Sequence, residues 1–242
     1  AAATAQAATT NAPMLTRKRN DPERLLREPL FLWLSLHNPL KNAILLISIL
    51  FWEALPVNAE PIRVLQIMPA MDAGGMETFV MNVYRAVDRS QVQFDFLYHY
   101  DKPCFYDAEI EALGGHITKL TVRQDNNIPK YLHDLRAFFT AHPEYKVIHG
   151  HYSGFGMFYN AVARSCGVPV RAGHSHNTAY EHNLVGQLDR LMSSRFDHDL
   201  THRFACSQRA GEMLYGKHPF TVLPNGIMTD VFALHDPAVR AF

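Results

Sequence analysis

Four histidines fall in two His-x-His pairs, and each pair follows a short apolar run. The pairs are His149 with His151 and His174 with His176. Alternate residues of an extended chain point to the same side, so both imidazoles of a pair would face one way. Such imidazoles could ligate zinc, hydrogen-bond the backbone of a loop, or polarise or deprotonate a substrate hydroxyl near neutral pH.

Zinc binding has less support than the other two uses. A metal-dependent hydrolase would need an acidic residue beside the histidines, and Asp101, Asp107 and Glu181 show no regular spacing to them. The pattern therefore favours imidazoles that hydrogen-bond a loop or act on a substrate hydroxyl.

A pair of glycines, Gly74-Gly75, lies between an apolar run at residues 64–68 and a stretch with apolar residues at helical spacing. This order predicts a strand, a glycine loop and a helix. Glycines at a helix start let backbone N–H groups approach an anion, and the helix dipole favours negative charge there. The alternative is a tight turn that binds nothing, because the full dinucleotide fingerprint G-x-G-x-x-G is absent.

The rest of the chain predicts the elements that position these residues. Predicted strands cover residues 64–68, 94–98, 117–120, 146–149, 170–173, 203–206 and 221–223. Predicted helices cover residues 76–87, 106–112, 130–141, 154–166, 184–196 and 208–215. This alternation indicates an α/β fold, a doubly wound parallel sheet with helices on both faces. Ligands of such sheets bind at the carboxyl ends of the strands, where the glycine and histidine pairs would meet.

Composition sets limits on the class of protein. The chain has 242 residues, enough for one large domain or two small ones, and 48% of them are hydrophobic. Its 23 basic and 23 acidic residues give a formal net charge of zero, so nothing indicates a general nucleic-acid binder. Three widely spaced cysteines form neither a zinc pattern nor a disulfide framework, which fits a reducing compartment.

Residues 1–61 have a different composition, which predicts a disordered or membrane-associating tail. Two apolar runs, at 30–36 and 43–52, are each shorter than the roughly 18 to 20 residues that cross a bilayer. One interpretation is a signal peptide cleaved after Ala59, and another is a segment that is not native to the fold. We favour a third, in which residues 30–57 hold a cytoplasmic protein on the inner membrane surface.

Several motifs resemble the N-terminal domain of glycosyltransferase family 4, and they occur in that family's order. They are RVLQI, GGMETFVMNVYR, HGHYSGFG, GVPVRAGHSHN, THRFACSQRAGEMLYG and FTVLPNGIMTDVF. The resemblance spans about residues 62–232 and is strongest to bacterial capsular and exopolysaccharide enzymes. It implies a GT-B architecture, in which two Rossmann-like domains enclose the active site. It also implies transfer of a sugar from a nucleotide sugar to a polysaccharide or lipid-linked acceptor, retaining and without a cofactor or metal.

The resemblance also implies roles for individual residues. Gly74 and Gly75 would approach the donor's diphosphate. His151 would be the catalytic residue, which contacts the acceptor or the transferred sugar and positions the reacting hydroxyl. The hinge to the second domain would be at Asn225 and Gly226. Acceptor binding is assigned to the remaining polar residues at the strand ends: Glu77, His149, Tyr152, His174, His176 and Asn177.

The chain stops at Phe242, so residues 233–242 would only begin a truncated linker or second domain. The basic residues and the acidic E-x7-E motif of the family's second domain would then be missing. We therefore expect a chain incomplete for activity. Two alternatives stay open: a non-catalytic module that binds the acceptor or the membrane, and another GT-B enzyme such as a sugar-nucleotide epimerase.

Overall fold

The structure is a computed structural model, and it describes residues 60–226. Seven strands form one sheet: β1 (Ile62–Met68), β2 (Val92–Tyr98), β3 (Ile117–Lys119), β4 (Val147–Gly150), β5 (Val170–Ser175), β6 (His202–Ala205) and β7 (Thr221–Val222). All neighbouring strands are parallel, and their order is β3-β2-β1-β4-β5-β6-β7. The predicted α/β doubly wound sheet is confirmed, and every predicted strand end lies within two residues of the observed one.

Helices connect the strands. They are α1 (Gly75–Ala86), α2 (Asp107–Ala112), α3 (Val122–Asp125), α4 (Ile128–Ala141), α5 (Ser153–Ser165), α6 (Leu184–Ser193) and α7 (Gln208–Tyr215). Six correspond to the predicted helices, and the single turn α3 was not predicted. Ser207 caps α7 by accepting a hydrogen bond from the backbone N–H of Ala210, a good use of a serine at a helix start.

The prediction that α6 continues to residue 196 is wrong by three residues. The chain turns after Ser193, and Phe196 is fully buried. A Cβ added at Gly156 of α5 or at Gly173 of β5 would collide with the Phe196 ring. The two glycines therefore leave a space between α5 and the sheet, and the Phe196 ring fills it. The chain forms a turn there, so α6 ends before residue 196.

Each face of the sheet has its own apolar core. On one face, α1 and α2 pack against β1 and β2 through residues such as Phe79, Tyr84 and Ile110. On the other face, α4, α5 and α7 pack through residues such as Leu135 and Tyr159. Both cores follow from strands whose residues are nearly all buried, as expected for a parallel sheet covered on two sides.

Two further findings for the described residues concern the cysteines and membrane spans. Cys104, Cys166 and Cys206 are all free thiols. Between residues 60 and 226, no helix combines the length and the apolar character that a membrane span requires. The predicted membrane-surface segment at 30–57 and the predicted linker start at 233–242 lie outside the described residues, as does nearly all of the predicted tail.

Candidate functional site

A cleft of about 750 Å³ opens at the carboxyl ends of β1, β4 and β5. Strand order reverses between β1 and β4, and ligands of doubly wound sheets bind at such a point. Eight residues predicted for the site line the cleft: Gly75, Glu77, His151, Tyr152, His174, His176, Asn177 and Asn225. Three others, Gly74, His149 and Gly226, are neighbours of these residues in sequence or in space but do not line it.

The two histidine pairs form one cluster of four imidazoles beneath this cleft. Ring centroids lie 4.2 Å apart for His149 and His151, 4.3 Å for His174 and His176, and 5.2 Å for His151 and His176. Parallel pairing of β4 with β5 produces this arrangement, because it sets the two His-x-His segments side by side. The sequence prediction that the pairs share one edge of the sheet agrees with this geometry.

A chain of hydrogen bonds runs through the cluster. Nδ1 of His151 lies 2.9 Å from Nε2 of His176, and Nε2 of His151 lies 3.0 Å from Oε1 of Gln66. Gln66 is 1% exposed and sits in the middle of β1. Both nitrogens of His151 are therefore engaged by other side chains of the protein.

Other imidazole nitrogens in the cluster have no hydrogen-bond partner within residues 60–226. They are Nε2 of His149, both ring nitrogens of His174 and Nδ1 of His176. Buried polar atoms are almost always paired in native proteins, so such a concentration of unpaired ones calls for a bound water or ligand. The cluster is therefore better suited to receiving a polar ligand than to stabilising the fold.

Burial keeps these imidazoles uncharged at neutral pH. Burial lowers the pKa of His149 to about 3 and that of His176 to about 4. The pKa values of His151 and His174 also fall well below the ordinary value, mainly through burial and further through the neighbouring imidazoles. A neutral imidazole has one N–H and one lone pair, so the cluster can both donate to and accept from a hydroxylated ligand.

Helix α1 packs over the cluster and ties it to the end of the described chain. The Phe79 ring lies 5.3 Å from the His174 ring in an edge-on contact, and 6.0 Å from that of His176. Three residues further along, the side-chain amide of Asn82 donates to the carbonyl of Gly226 at 3.2 Å. The proposed hinge and the histidine cluster are thus held by the same helix.

The two glycines at the start of α1 have different surroundings. A Cβ at Gly74 would collide with the carboxylate of Glu77, which folds back over the first turn of the helix. Burial raises the pKa of Glu77, while a hydrogen bond from its own backbone N–H lowers it. At Gly75 the position of a Cβ is free of described atoms within 4 Å, and this residue faces the cleft. Gly75 therefore gives a ligand access to the helix start, whereas Gly74 makes room for Glu77.

Helix α6 forms one wall of the cleft and carries an unusual apolar face. Leu184, Leu188 and Leu191 are 75%, 56% and 68% exposed, and their spacing puts them on one side of the helix. The buried residues Gly186 and Ser193 lie on the opposite side. Leu188 also lines the cleft, so the exposed apolar face is continuous with the site.

Three of the imidazoles lie close enough together to be compared with a metal site. His149, His151 and His174 each offer one nitrogen, and these nitrogens lie within 4.8 Å of one another. Tetrahedral zinc, with bonds of about 2.0 to 2.1 Å, would need them roughly 3.3 Å apart. His151 would in addition have to give up its hydrogen bond to Gln66 or to His176. The observed arrangement fits a hydrogen-bonding cluster more directly than a metal centre.

Sequence reasoning missed Gln66, Phe79 and Leu188 as residues of the site. One signal for Gln66 was available, since it is the only uncharged polar residue in the run IRVLQIM of β1. A polar side chain inside an otherwise apolar buried strand must find a partner, and here the partner is 85 residues away. Phe79 and Leu188 carry no such signal, because apolar residues at helical spacing normally pack in a core.

Comparison with known proteins gives three findings. Residues 74–226 match the family model described as "Glycosyl transferase 4-like domain". The chain is 36% identical over 185 residues to EpsF of Bacillus subtilis (strain 168), a protein named as a glycosyltransferase, covering 73% of this chain and 48% of EpsF. It also superposes on crystal structures of Anabaena HepE, in complex with UDP (TM-score 0.54, 15% identity) and with UDP and glucose (TM-score 0.55, 15% identity).

The superposition on HepE covers 73% of this chain and 47% of HepE in both structures, and at this identity it shows a shared fold. The chain thus spans about half the length of the relative and of the solved structures that it matches.

Proposed function

The chain belongs to the glycosyl transferase 4-like family, and we propose that it forms the acceptor-binding half of a glycosyltransferase. The enzyme would move a sugar from a nucleotide sugar to a glycan or lipid-linked acceptor. One observation carries the proposal: the open start of α1 and the neutral imidazole cluster face the same cleft at the point where strand order reverses.

The start of α1 suits the diphosphate of the donor. Backbone N–H groups at a helix start and the helix dipole both favour an anion, and Gly75 places no side chain in its way. The carboxylate of Glu77 would have to swing away from this end as the diphosphate arrives, because like charges repel. HepE, which shares the fold, has been crystallised with UDP and with UDP-glucose, and this supports a nucleotide sugar as the donor class.

The imidazole cluster suits the hydroxyl groups of a sugar. Its unpaired nitrogens lie among neutral rings, so they can hydrogen-bond hydroxyls without the cost of burying a charge. In the transfer, the bond between the anomeric carbon and the donor phosphate breaks, and a bond to the acceptor oxygen forms. The acceptor's proton leaves with the released diphosphate. We propose that the reaction retains the anomeric configuration and needs no metal or other cofactor.

The apolar face of α6 favours a lipid-linked acceptor over a free glycan. Leu188 stands at the cleft, and Leu184 and Leu191 extend the same apolar surface outward. A lipid chain attached to the acceptor could lie along this surface while its sugar enters the cleft. A second domain in a full-length version would be the other partner able to cover these leucines.

The test uses a full-length version that includes a second domain. Nucleotide sugars are assayed with lipid-linked and free acceptors, and the anomeric configuration of the product is read by NMR. We expect turnover with a lipid-linked acceptor in the presence of EDTA. A product of inverted configuration would contradict the retaining mechanism, and epimerised nucleotide sugar without transfer would favour the epimerase alternative.

The Gly75→Val variant tests the donor side of this proposal. The added side chain enters the cleft at the helix start, so donor affinity should fall about tenfold or more, while the free energy of unfolding changes little. Ala137→Val is the matched control, because it introduces the same side chain at an exposed position of α4 that does not line the cleft. Isothermal titration with the donor measures both. Unchanged affinity in Gly75→Val would mean that this loop is only a turn.

A further inference from the structure

The hydrogen bond between Gln66 and His151 determines which ring nitrogens of His151 and His176 carry a hydrogen. The atom of Gln66 that faces His151 is its carbonyl oxygen, which can only accept. Nε2 of His151 must therefore carry the hydrogen. In a neutral imidazole, Nδ1 of the same ring is then a lone pair, and it accepts from the Nε2–H of His176.

This arrangement of hydrogens leaves one nitrogen lone pair unused at the end of the chain of hydrogen bonds. With its hydrogen on Nε2, His176 has an unprotonated Nδ1, and this atom has no partner within residues 60–226. The side chain of His176 lines the cleft. His151, by contrast, lines the cleft with both of its nitrogens already in use.

We infer that Gln66 is a positioning residue that fixes the tautomers of His151 and His176, so that Nδ1 of His176 is the hydrogen-bond acceptor offered to a ligand hydroxyl. Because His151 bonds to both Gln66 and His176, the orientation of the Gln66 amide determines the tautomer of His176 through His151. His151 itself makes no side-chain hydrogen bond to the ligand while these bonds are intact. The part of this inference that concerns the hydroxyl of a sugar rests on the proposed function. The part that concerns the tautomers does not.

The role assigned to His176 is to accept a hydrogen bond, with no transfer of the proton. Its low pKa makes it a weak base at neutral pH, and a weak base holds a hydroxyl proton without removing it. The hydroxyl oxygen keeps a lone pair directed away from the ring. A shift of Gln66 to its other amide orientation would reverse every bond in the chain and put a hydrogen on Nδ1 of His176.

Nitrogen NMR of the purified chain distinguishes these two states. In a uniformly 15N-labelled sample, two-bond proton–nitrogen correlations show which ring nitrogen of each neutral histidine carries the hydrogen. Signals of the two residues are assigned by their loss in His151→Gln and His176→Gln. We expect the Nε2–H tautomer for both. Finding the Nδ1–H tautomer at either residue would overturn the inference.

His99 provides an internal control, because its contacts require the opposite tautomer. Its Nδ1 faces the carbonyl of Met68 at 2.9 Å, so Nδ1 must carry the hydrogen, and its Nε2 faces the hydroxyl of Tyr131. The same spectra should therefore show the Nδ1–H tautomer for His99. That result would show that the tautomers of buried imidazoles in this chain follow their hydrogen-bond partners.

Two variants then test whether Gln66 is the cause. Gln66→Met has a similar shape but no acceptor, so the Nε2–H tautomer of His151 should give way to a mixture. Gln66→Glu restores an acceptor oxygen and should restore the single tautomer. An unchanged single tautomer in Gln66→Met would overturn the role of Gln66. If that variant fails to fold, Gln66→Asn replaces it, because its side chain is one methylene group shorter and its oxygen no longer reaches Nε2 of His151.

The functional consequence is measured on the full-length version. Loss of one neutral hydrogen bond corresponds to about a tenfold change in rate, so Gln66→Met should lower kcat about tenfold with donor KM unchanged, and Gln66→Glu should recover most of it. A fall in kcat that Gln66→Glu does not recover would contradict the positioning role. Correct tautomers without any sugar transfer would instead refute the proposed function and leave the tautomer assignment in place.

Discussion

Two buried polar clusters lie at opposite ends of the same sheet, and they differ in how completely their hydrogen bonds are made. Near the amino ends of the strands, Asp95 accepts from Nε and Nη2 of Arg63 at 2.5 and 2.6 Å, from the backbone N–H of His116 at 2.7 Å and from the hydroxyl of Tyr145 at 2.9 Å. At the carboxyl ends, the imidazole cluster has four nitrogens without a partner in the part of the chain that the structure describes.

The difference shows what distinguishes a structural polar cluster from a candidate site. Both clusters are deeply buried, and Asp95 is fully so. The carboxylate of Asp95 has four donors for its two oxygens, which leaves no capacity for a ligand. The imidazoles have capacity left over, and they face a cleft. Unused hydrogen-bonding capacity, more than burial or charge, supports the proposal that the carboxyl edge of this sheet is the functional one.

Acidification should give the largest effect, and it acts on the imidazole cluster. Burial lowers the pKa of His149 to about 3 and that of His176 to about 4, below the usual value near 6.5. At pH values below about 6.5, the unfolded chain therefore binds more protons than the folded chain does. The free energy of unfolding falls as the pH is lowered from about 6.5 towards 4. By pH 4 each of the two imidazoles contributes a loss of about 3 kcal/mol, so together they lower the free energy of unfolding by an amount on the order of 6 kcal/mol. Urea unfolding across this pH range measures it.

Matched histidine variants sharpen this prediction. The double variant His149→Gln with His176→Gln should reduce the pH dependence, and the part that remains belongs to His151 and His174. The control double variant, His133→Gln with His198→Gln, alters side chains that are 82% and 72% exposed and should leave it unchanged. A pH dependence that is the same in both double variants would show that His149 and His176 do not contribute to the acid sensitivity.

Removing the partner at the other end of the sheet should have the next largest effect. Asp95→Ala leaves the guanidinium of Arg63 without its carboxylate and takes an acceptor from Tyr145, so it should cost about 3 kcal/mol of unfolding free energy. Asp101→Ala is the control, because Asp101 is 65% exposed and its ion pair with Lys119 spans 3.5 Å; it should cost less than about 1 kcal/mol. Equal losses would remove the contrast between a satisfied cluster and the surface.

Much of this arrangement could be predicted from the sequence because it depends on local patterns. Apolar runs and helical spacing locate the strands and most helix ends, and alternation of strand with helix implies a parallel sheet. Once the sheet is parallel, the glycine pair and both histidine pairs must meet at its carboxyl edge. The cleft lined by Gly75, His151 and His176 is therefore a consequence of topology.

The details that give the site its chemistry depend on contacts between distant residues. The pairing of Gln66 with His151 joins residues 85 positions apart and decides which nitrogens are free. His149 lies two residues before His151 and does not line the cleft, although the two side chains are about equally buried. The leucines of α6 have the spacing of a core face, yet the structure turns them outward. None of these facts follows from spacing alone.

The smallest expected effect is a gain in stability. It directly tests the contrast between the fully hydrogen-bonded Asp95 cluster and the imidazole cluster with its unpaired nitrogens. His174→Phe removes two buried nitrogens that have no partner among the described residues, and keeps a ring against Phe79. Because an unsatisfied buried polar group costs free energy, the variant should be more stable by about 1 kcal/mol in urea unfolding at pH 7. Since His174 lines the cleft, donor or acceptor binding by the full-length version should weaken in the same variant. A loss of stability on this substitution would mean that the nitrogens of His174 are satisfied, by ordered water or by the nearby backbone of Leu223, and the two ends of the sheet would then be alike.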